Sequence, residues 1–181
     1  MKKLLLATSL FVSGLVFSQT KILTSTQIKR AADIVASDID FKSIESELIV
    51  LINKYRLSLN LDTLVFDSNV QKAAKFQVDY NISINTLTHS NLGSMNGVLD
   101  RVEKFTLTRS RTAGEVLANM SPLFSSVYDQ TIAEFIFAMW KKSPGHNTIL
   151  IYPGMKSIGV SVGRENIKSG AIYAGAVLNS L

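Results

Sequence analysis

Two hydrophobic periods divide the chain. Apolar residues recur every three to four positions up to about residue 142, and alternate beyond residue 157. In SIESELIVLINKYRLSL, Ile44, Leu48, Leu51, Ile52 and Tyr55 share one helical face, with Ser43 as the expected N-cap. DSNVQKAAKFQVDYNISI repeats the pattern through Val70, Ala73, Ala74 and Val78, capped by Asp67 or Ser68. THSNLGSMNG is polar and rich in turn residues, and reads as a loop; VLDRVEKF after it fits a short helix.

AGEVLANM is short enough for a strand. SSVYDQTIAEFIFAMWKK is strongly amphipathic, with Ile132, Phe135, Ile136, Met139 and Trp140 inward. Lys141 and Lys142 suit a helix C-terminus, and Pro144 and Gly145 are expected to end the helix. The period then changes. SIGVSVG and GAIYAGAVL read as strands joined by the turn-rich RENIKSG. Helices first and hairpin strands last predict an α+β fold, with helices packed on an antiparallel sheet. No internal repeat or low-complexity segment interrupts it.

The first residues change the picture of where the domain begins. MKKLLLATSLFVSGLVFS pairs a Lys2-Lys3 head with an apolar run, Leu4 to Phe17, that is short for a bilayer span. It reads as a signal peptide at 1–18, with an uncleaved anchor as the alternative. No cysteine follows the run, which excludes a lipid-modified anchor of the lipoprotein kind. Residues 19–42 read as an N-terminal extension with a short helix at Thr26–Ala36, and the domain proper as 43–181. The expected location is secreted or periplasmic, with no membrane span after signal cleavage.

Charge and cysteine content narrow the function further. The leader takes two of the 19 Lys and Arg and none of the 14 acids, so the net charge falls from +5 to +3. That small excess does not argue for nucleic acid. Arg101, Lys104, Arg109 and Arg111 form a local basic cluster, read as a solvated loop face, with Arg101 alternatively pairing with an acid near the mouth of a groove. There is no cysteine. Packing must therefore replace disulfides, and any metal site must use histidine and carboxylate.

Two patterns carry no weight. GVSVG at Gly159–Gly163 matches the nucleophile-elbow motif, but that chemistry needs a strand, a sharp turn and a helix. Here Ser161 lies inside an alternating strand, and both histidines precede it. The sequons at Asn81 and Asn119 matter only in a eukaryotic secretory pathway, and the leader reads as bacterial.

One ordered set of motifs does carry weight. LINKYRLSLNLDTLVFDSNVQKAAKFQVDY, LTHSN, DRVEKF, AGEVLA, WKKSPGHNTILIYPGMKSIGVSVG and AIYAGAVL follow one another. Together they resemble the bacterial SCP-like branch of the CAP superfamily, relatives of the cysteine-rich secretory, antigen 5 and pathogenesis-related proteins. The resemblance covers roughly residues 45–178, and Trp140 with Ser-Pro-Gly-His is its most specific part. It implies a three-layer α-β-α sandwich with a central antiparallel sheet. It also implies a groove lined by His89, by Glu115 of the Gly114-Glu115 pair, and by His146. The chain departs from the family at three places. Val116 stands where many members have Asn, Ser143 near a second glutamate of the eukaryotic branch, and Gly175 where the branch often has Gln.

Two imidazoles and a carboxylate can hold a divalent metal such as zinc and leave positions for water. His89, His146 and Glu115 are the candidate ligands, and Glu115 the candidate general base. Ser90, Ser143 and Tyr152 are candidate groove residues around them. The bland alternative has His89 capping a loop, His146 bonding its turn and Glu115 pairing with one of them. Trp140 reads as a core anchor, and Asn53 and Arg56 as ties from the first helix to a neighbour. The preferred expectation is a secreted binding or interaction module, with an extracellular or envelope partner or an apolar ligand, rather than an enzyme. The alternative is a metal- or Glu-dependent hydrolase of cell-envelope or extracellular polymers.

Overall fold

The computed structural model of the protein describes residues 24–27, 29, 39–121, 131–165 and 170–180. The leader at 1–18 lies outside them. Of the helix expected at Thr26–Ala36, only Thr26, Gln27 and Lys29 are described, and these are helical.

Helix α1 is Phe41–Ser58, with Ile44, Leu48 and Ile52 buried along one stripe. Its N-cap is Asp40, three residues before the expected Ser43, whose backbone N–H donates to Asp40 Oδ1. A carboxylate at this position satisfies an orphan donor and complements the helix dipole. Strand β1, Val65–Phe66, has only two residues and was not anticipated. Helix α2, Ser68–Ser83, is capped by Asp67, which accepts from the backbone N–H groups of Asn69 and Val70. Helix α3 is Val98–Thr106, and strand β2 is Ala113–Met120.

Helix α4, Ile132–Lys142, opens with a reciprocal Thr131–Glu134 capping box. Pro144 does not lead into a loop as expected. It is the first residue of another helix, α5, Pro144–Leu150. Proline lacks the N–H that a first-turn residue has no use for, so one residue ends α4 and starts α5. Strands β3, Ser157–Arg164, and β4, Ile172–Asn179, complete the fold.

The four strands lie in the order β1-β3-β4-β2. Both β2 and β3 pair antiparallel with β4 along its whole length, while β1 adds a short parallel pair to β3. Side chains on a strand alternate between faces, and here each face meets helices. Ile172, Ala174, Ala176 and Leu178 of β4 join Leu48, Ile136, Trp140 and Leu150 in the larger core, under α1, α4 and α5. Val177 points the other way, to Val70, Ala73 and Ala74 of α2 and Val102 of α3. These are the three layers of an α-β-α sandwich.

The rejected nucleophile-elbow motif has a packing explanation. Gly159 lies on β3 beneath α2, where a Cβ would come within 2.0 Å of the Gln71 backbone nitrogen. Only glycine lets helix and strand approach that closely. Ser161 is buried in the same strand, opposite Gly175. Asn81 of the first sequon is buried as well. Among the described residues, no helix is long and apolar enough to cross a membrane.

Candidate functional site

Strand β2 is an edge strand, and its first residues form the floor of a groove of about 680 Å³. His89, Ser90, Asn96 and Val98 line one side, and Ser143, His146 and Ile149 the other. The alternation of β2 explains why the two sides meet there. Gly114 faces α5: a Cβ on it would lie 2.6 Å from Ile149 Cγ2. Its neighbour Glu115 therefore faces the α2–α3 layer. A side chain at 114 would push α5, and His146 with it, away from Glu115.

Glu115 is held at both oxygens. Oε1 accepts from Arg101 Nη2 at 2.5 Å, and Oε2 lies 2.9 Å from His89 Nδ1. Arg101 is fully buried, and the Glu115 side chain is 3% exposed. Of the two readings of Arg101, the structure shows pairing with a groove acid and not the solvated loop face. The residue sits on the inner face of α3, and its Nη1 also donates to the carbonyls of Met95 and Asn96. Lys104, Arg109 and Arg111 are exposed as expected. A buried carboxylate is tolerable only with partners of this kind.

His89 is placed by the loop between α2 and α3, and its side chain is 58% exposed. An ionised carboxylate can only accept, so the contact calls for a proton on Nδ1; in the neutral ring Nε2 is then the nitrogen with the lone pair. His146 lies in the first turn of α5, half-buried. Burial, and secondarily the nearby His89, lower its pKa from the usual imidazole value. Its neutral form is favoured near pH 7. The two imidazole centroids are 6.4 Å apart with planes tilted by 56°.

The position of α5 depends on Arg56. Buried in α1, it donates from Nη1 to the carbonyls of Leu150 and Tyr152, and from Nε to the carbonyl of Asp62. Asn53 exchanges two hydrogen bonds with the Leu64 backbone. Both residues are the ties expected of them. Tyr55 adds a hydrogen bond from its hydroxyl to Asn147 Oδ1.

His89, Glu115 and His146 are thus brought to one groove, together with Ser90 and Ser143. Tyr152 is not among the lining residues. Helix α5 has ended before it, and its ring packs over Gly154 instead. Sequence reasoning missed Gln77 and Asn91, which hold the His89 loop. The available signal was Gln77 with Asn81, two amides one turn apart on the buried stripe of α2.

As the side chains stand, no group of three His, Cys, Asp or Glu among the described residues is arranged to hold a metal. The donor set explains this, since Glu115 is already shared between Arg101 and His89. Two imidazoles remain. On one tetrahedral zinc, with Zn–N bonds of about 2 Å, imidazole centroids lie about 5 Å apart. The exposed His89 would have to close roughly 1.4 Å from the observed 6.4 Å to reach that. The two histidines fit an open two-imidazole site, with Glu115 orienting one of them.

The model of the cysteine-rich secretory protein family, CAP, matches residues 49–174. No curated protein sequence gives a significant match. Several solved structures share the fold, three of which follow. An outer surface protein from Borrelia burgdorferi has a TM-score of 0.63 and 24% identity, over 79% of this chain and 96% of that one. An extracellular protein containing an SCP domain from Bacillus anthracis has a TM-score of 0.62 and 18% identity, over 77% of this chain. A cysteine-rich secretory protein from Staphylococcus aureus has a TM-score of 0.57 and 14% identity, over 80% of this chain. The match spans only 41% and 40% of those last two chains.

Proposed function

The chain belongs to the CAP, or cysteine-rich secretory protein, family, and from that premise we propose that it is a secreted or periplasmic binding module whose groove holds a divalent metal such as zinc. The observation that carries the reading is the Glu115–His89 contact opposite a His146 whose neutral form is favoured. A metal-binding histidine commonly donates its other ring N–H to a carboxylate, which fixes tautomer and orientation. His89 Nε2 and His146 would hold the ion. Such an ion would supply a Lewis acid with positions open to a donor atom of an extracellular or envelope partner.

The chain's own residues do the rest. Arg101 holds Glu115 in place, Glu115 orients His89, and Arg56 holds the helix that carries His146. Val98, Ala113 and Ile149 add apolar lining from the two sides and the floor, suited to the non-polar part of a ligand. Secretion is supported by the leader and by the family, whose solved relatives are described as outer surface, extracellular and secretory proteins.

Calorimetric titration with zinc tests this reading. The wild type should bind one ion, and the His89→Ala, His146→Ala double variant none. Glu115→Gln should weaken binding about 10- to 100-fold by releasing His89. Identical titrations of wild type and double variant would refute it. Neither Ser90 Oγ nor Ser143 Oγ is bonded to either histidine, so a hydrolase built on this groove would use a metal-bound water or Glu115 rather than a serine.

A further inference from the structure

The loop that carries His89 has no regular structure between Ile84 and Gly97. Something outside the groove must fix its backbone if the Glu115 contact is to persist. Glu115 itself reaches only the ring. The residues on either side of His89 are held from below, by amides of α2.

Gln77 is fully buried on the inner face of α2. Its Nε2 donates to the Thr88 carbonyl at 2.7 Å and lies 3.4 Å from the Ser90 carbonyl. Its Oε1 accepts from Asn91 Nδ2 at 2.9 Å. One amide therefore holds the residue before His89, the residue after it, and the next one. Asn81, one turn along, accepts from the Thr88 N–H at 3.3 Å and from Gln77 Nε2 at 3.2 Å. Asn91, also buried, extends the network across the loop by donating its N–H to Asn96 Oδ1.

We propose that Gln77 is a positioning residue: through the peptide groups flanking His89 it holds the imidazole where Glu115 can fix its tautomer. The inference rests on the metal-groove reading for its purpose, but its mechanism concerns the chain alone. Three amides in the seam between helix and loop are costly to bury and would be unnecessary if the loop served only as a connection. An apolar residue of the same length would fill the space. It would leave the Thr88 carbonyl and Asn91 Nδ2 without their partner. The loop could then shift without any loss of groove residues.

The test is long-range proton–nitrogen NMR of the histidine rings at about pH 8, where imidazoles are neutral. His146→Gln assigns the two spectra. The wild type should show His89 as a single tautomer, protonated at Nδ1 with Nε2 bare. Gln77→Met should give an averaged pattern for His89, leave His146 unchanged, and lower zinc affinity about tenfold. Gln77→Asn keeps the amide on a shorter arm and should show the same loss, which covers a Met variant that does not fold. Val70→Ala, on the same buried face but remote from the loop, should lower the Tm and leave the His89 tautomer single. A single Nδ1–H tautomer in both Gln77 variants would overturn the proposal, as would equal averaging in Val70→Ala. Absence of zinc binding in the wild type would refute the metal reading alone, because the tautomer contrast needs no metal.

Discussion

Arg101→Met is the most informative single perturbation. Among the described residues it removes the one arginine or lysine paired with Glu115, and leaves a carboxylate 3% exposed with one remaining partner, His89. Breaking a buried ion pair from one side costs about 3–5 kcal/mol, because the bare charge stays desolvated. The bonds from Arg101 to the Met95 and Asn96 carbonyls add little, since Asn96 is exposed and water can replace the arginine there. For a domain of this size the loss corresponds to a drop in Tm of roughly 10–20 °C. The Arg101→Met, Glu115→Gln double variant removes both charges and leaves a neutral amide beside His89. It should be more stable than Arg101→Met alone by about 2 kcal/mol. Urea and thermal denaturation followed by circular dichroism measure both numbers. The buried pair should show little dependence on salt, unlike the exposed Lys75–Asp79 pair. Arg101→Met within about 1 kcal/mol of wild type, or a double variant equal to the sum of the singles, would refute the claim that Arg101 sustains a buried carboxylate.

Other outcomes follow from the same contacts. Gly159→Ala drives a Cβ into the Gln71 backbone, which cannot rotate away, so α2 must shift; a loss above about 3 kcal/mol or failure to fold is expected, and near-wild-type stability would contradict the close approach. Glu45 accepts from Val162 N–H and Gln71 Nε2, and burial raises its pKa, so the folded state binds its proton more tightly than the unfolded chain. Its contribution is therefore full below the unfolded value of 4.5 and declines as pH rises through the higher folded value. Glu45→Gln should flatten that part of the stability–pH curve, and an unchanged slope would remove Glu45 as its cause. Thr131→Ala deletes the cap of α4 and should cost about 1 kcal/mol in chemical denaturation, with no change in zinc titration. Ser143→Glu adds an acid to the groove wall and should tighten zinc binding; weaker binding would place Ser143 away from the ion.

The helical stripes were legible because they follow one period over many residues. Leu48 and Ile52, Ala73 and Ala74, and Ile136 and Trp140 all lie where the spacing put them. The strands of the C-terminal half were legible for the same reason, with period two. Less visible were the elements that depend on tertiary contact. Strand β1 exists because Val65 N–H finds the Lys156 carbonyl and Asp67 N–H the Ile158 carbonyl, a long-range pairing that no local pattern encodes. Helix α5 was hidden by Pro144, which signals a stop and a start with the same chemistry. At the site, the family resemblance supplied His89, Glu115 and His146, but what each of them touches came from the structure. Arg101 in a basic run reads equally as solvated or as paired with a groove acid, and its neighbours show that it is the one residue of the cluster turned inward.

The placement of the groove also limits what can disturb it. Gly114 and Glu115 are consecutive on an edge strand, so they face opposite layers of the sandwich. His146 arrives from the α5 side and His89 from the α2–α3 side. Neither layer holds both histidines, and they meet where, among the described residues, β2 has no further strand beside it. Each side is fixed by its own buried polar anchor, Arg56 for α5 and Gln77 for the His89 loop. Loosening one anchor should therefore move one imidazole and leave the other in place. A groove built within a single layer would lose both together, so the separate behaviour of His89 and His146 in anchor variants is the signature of a site made at the seam.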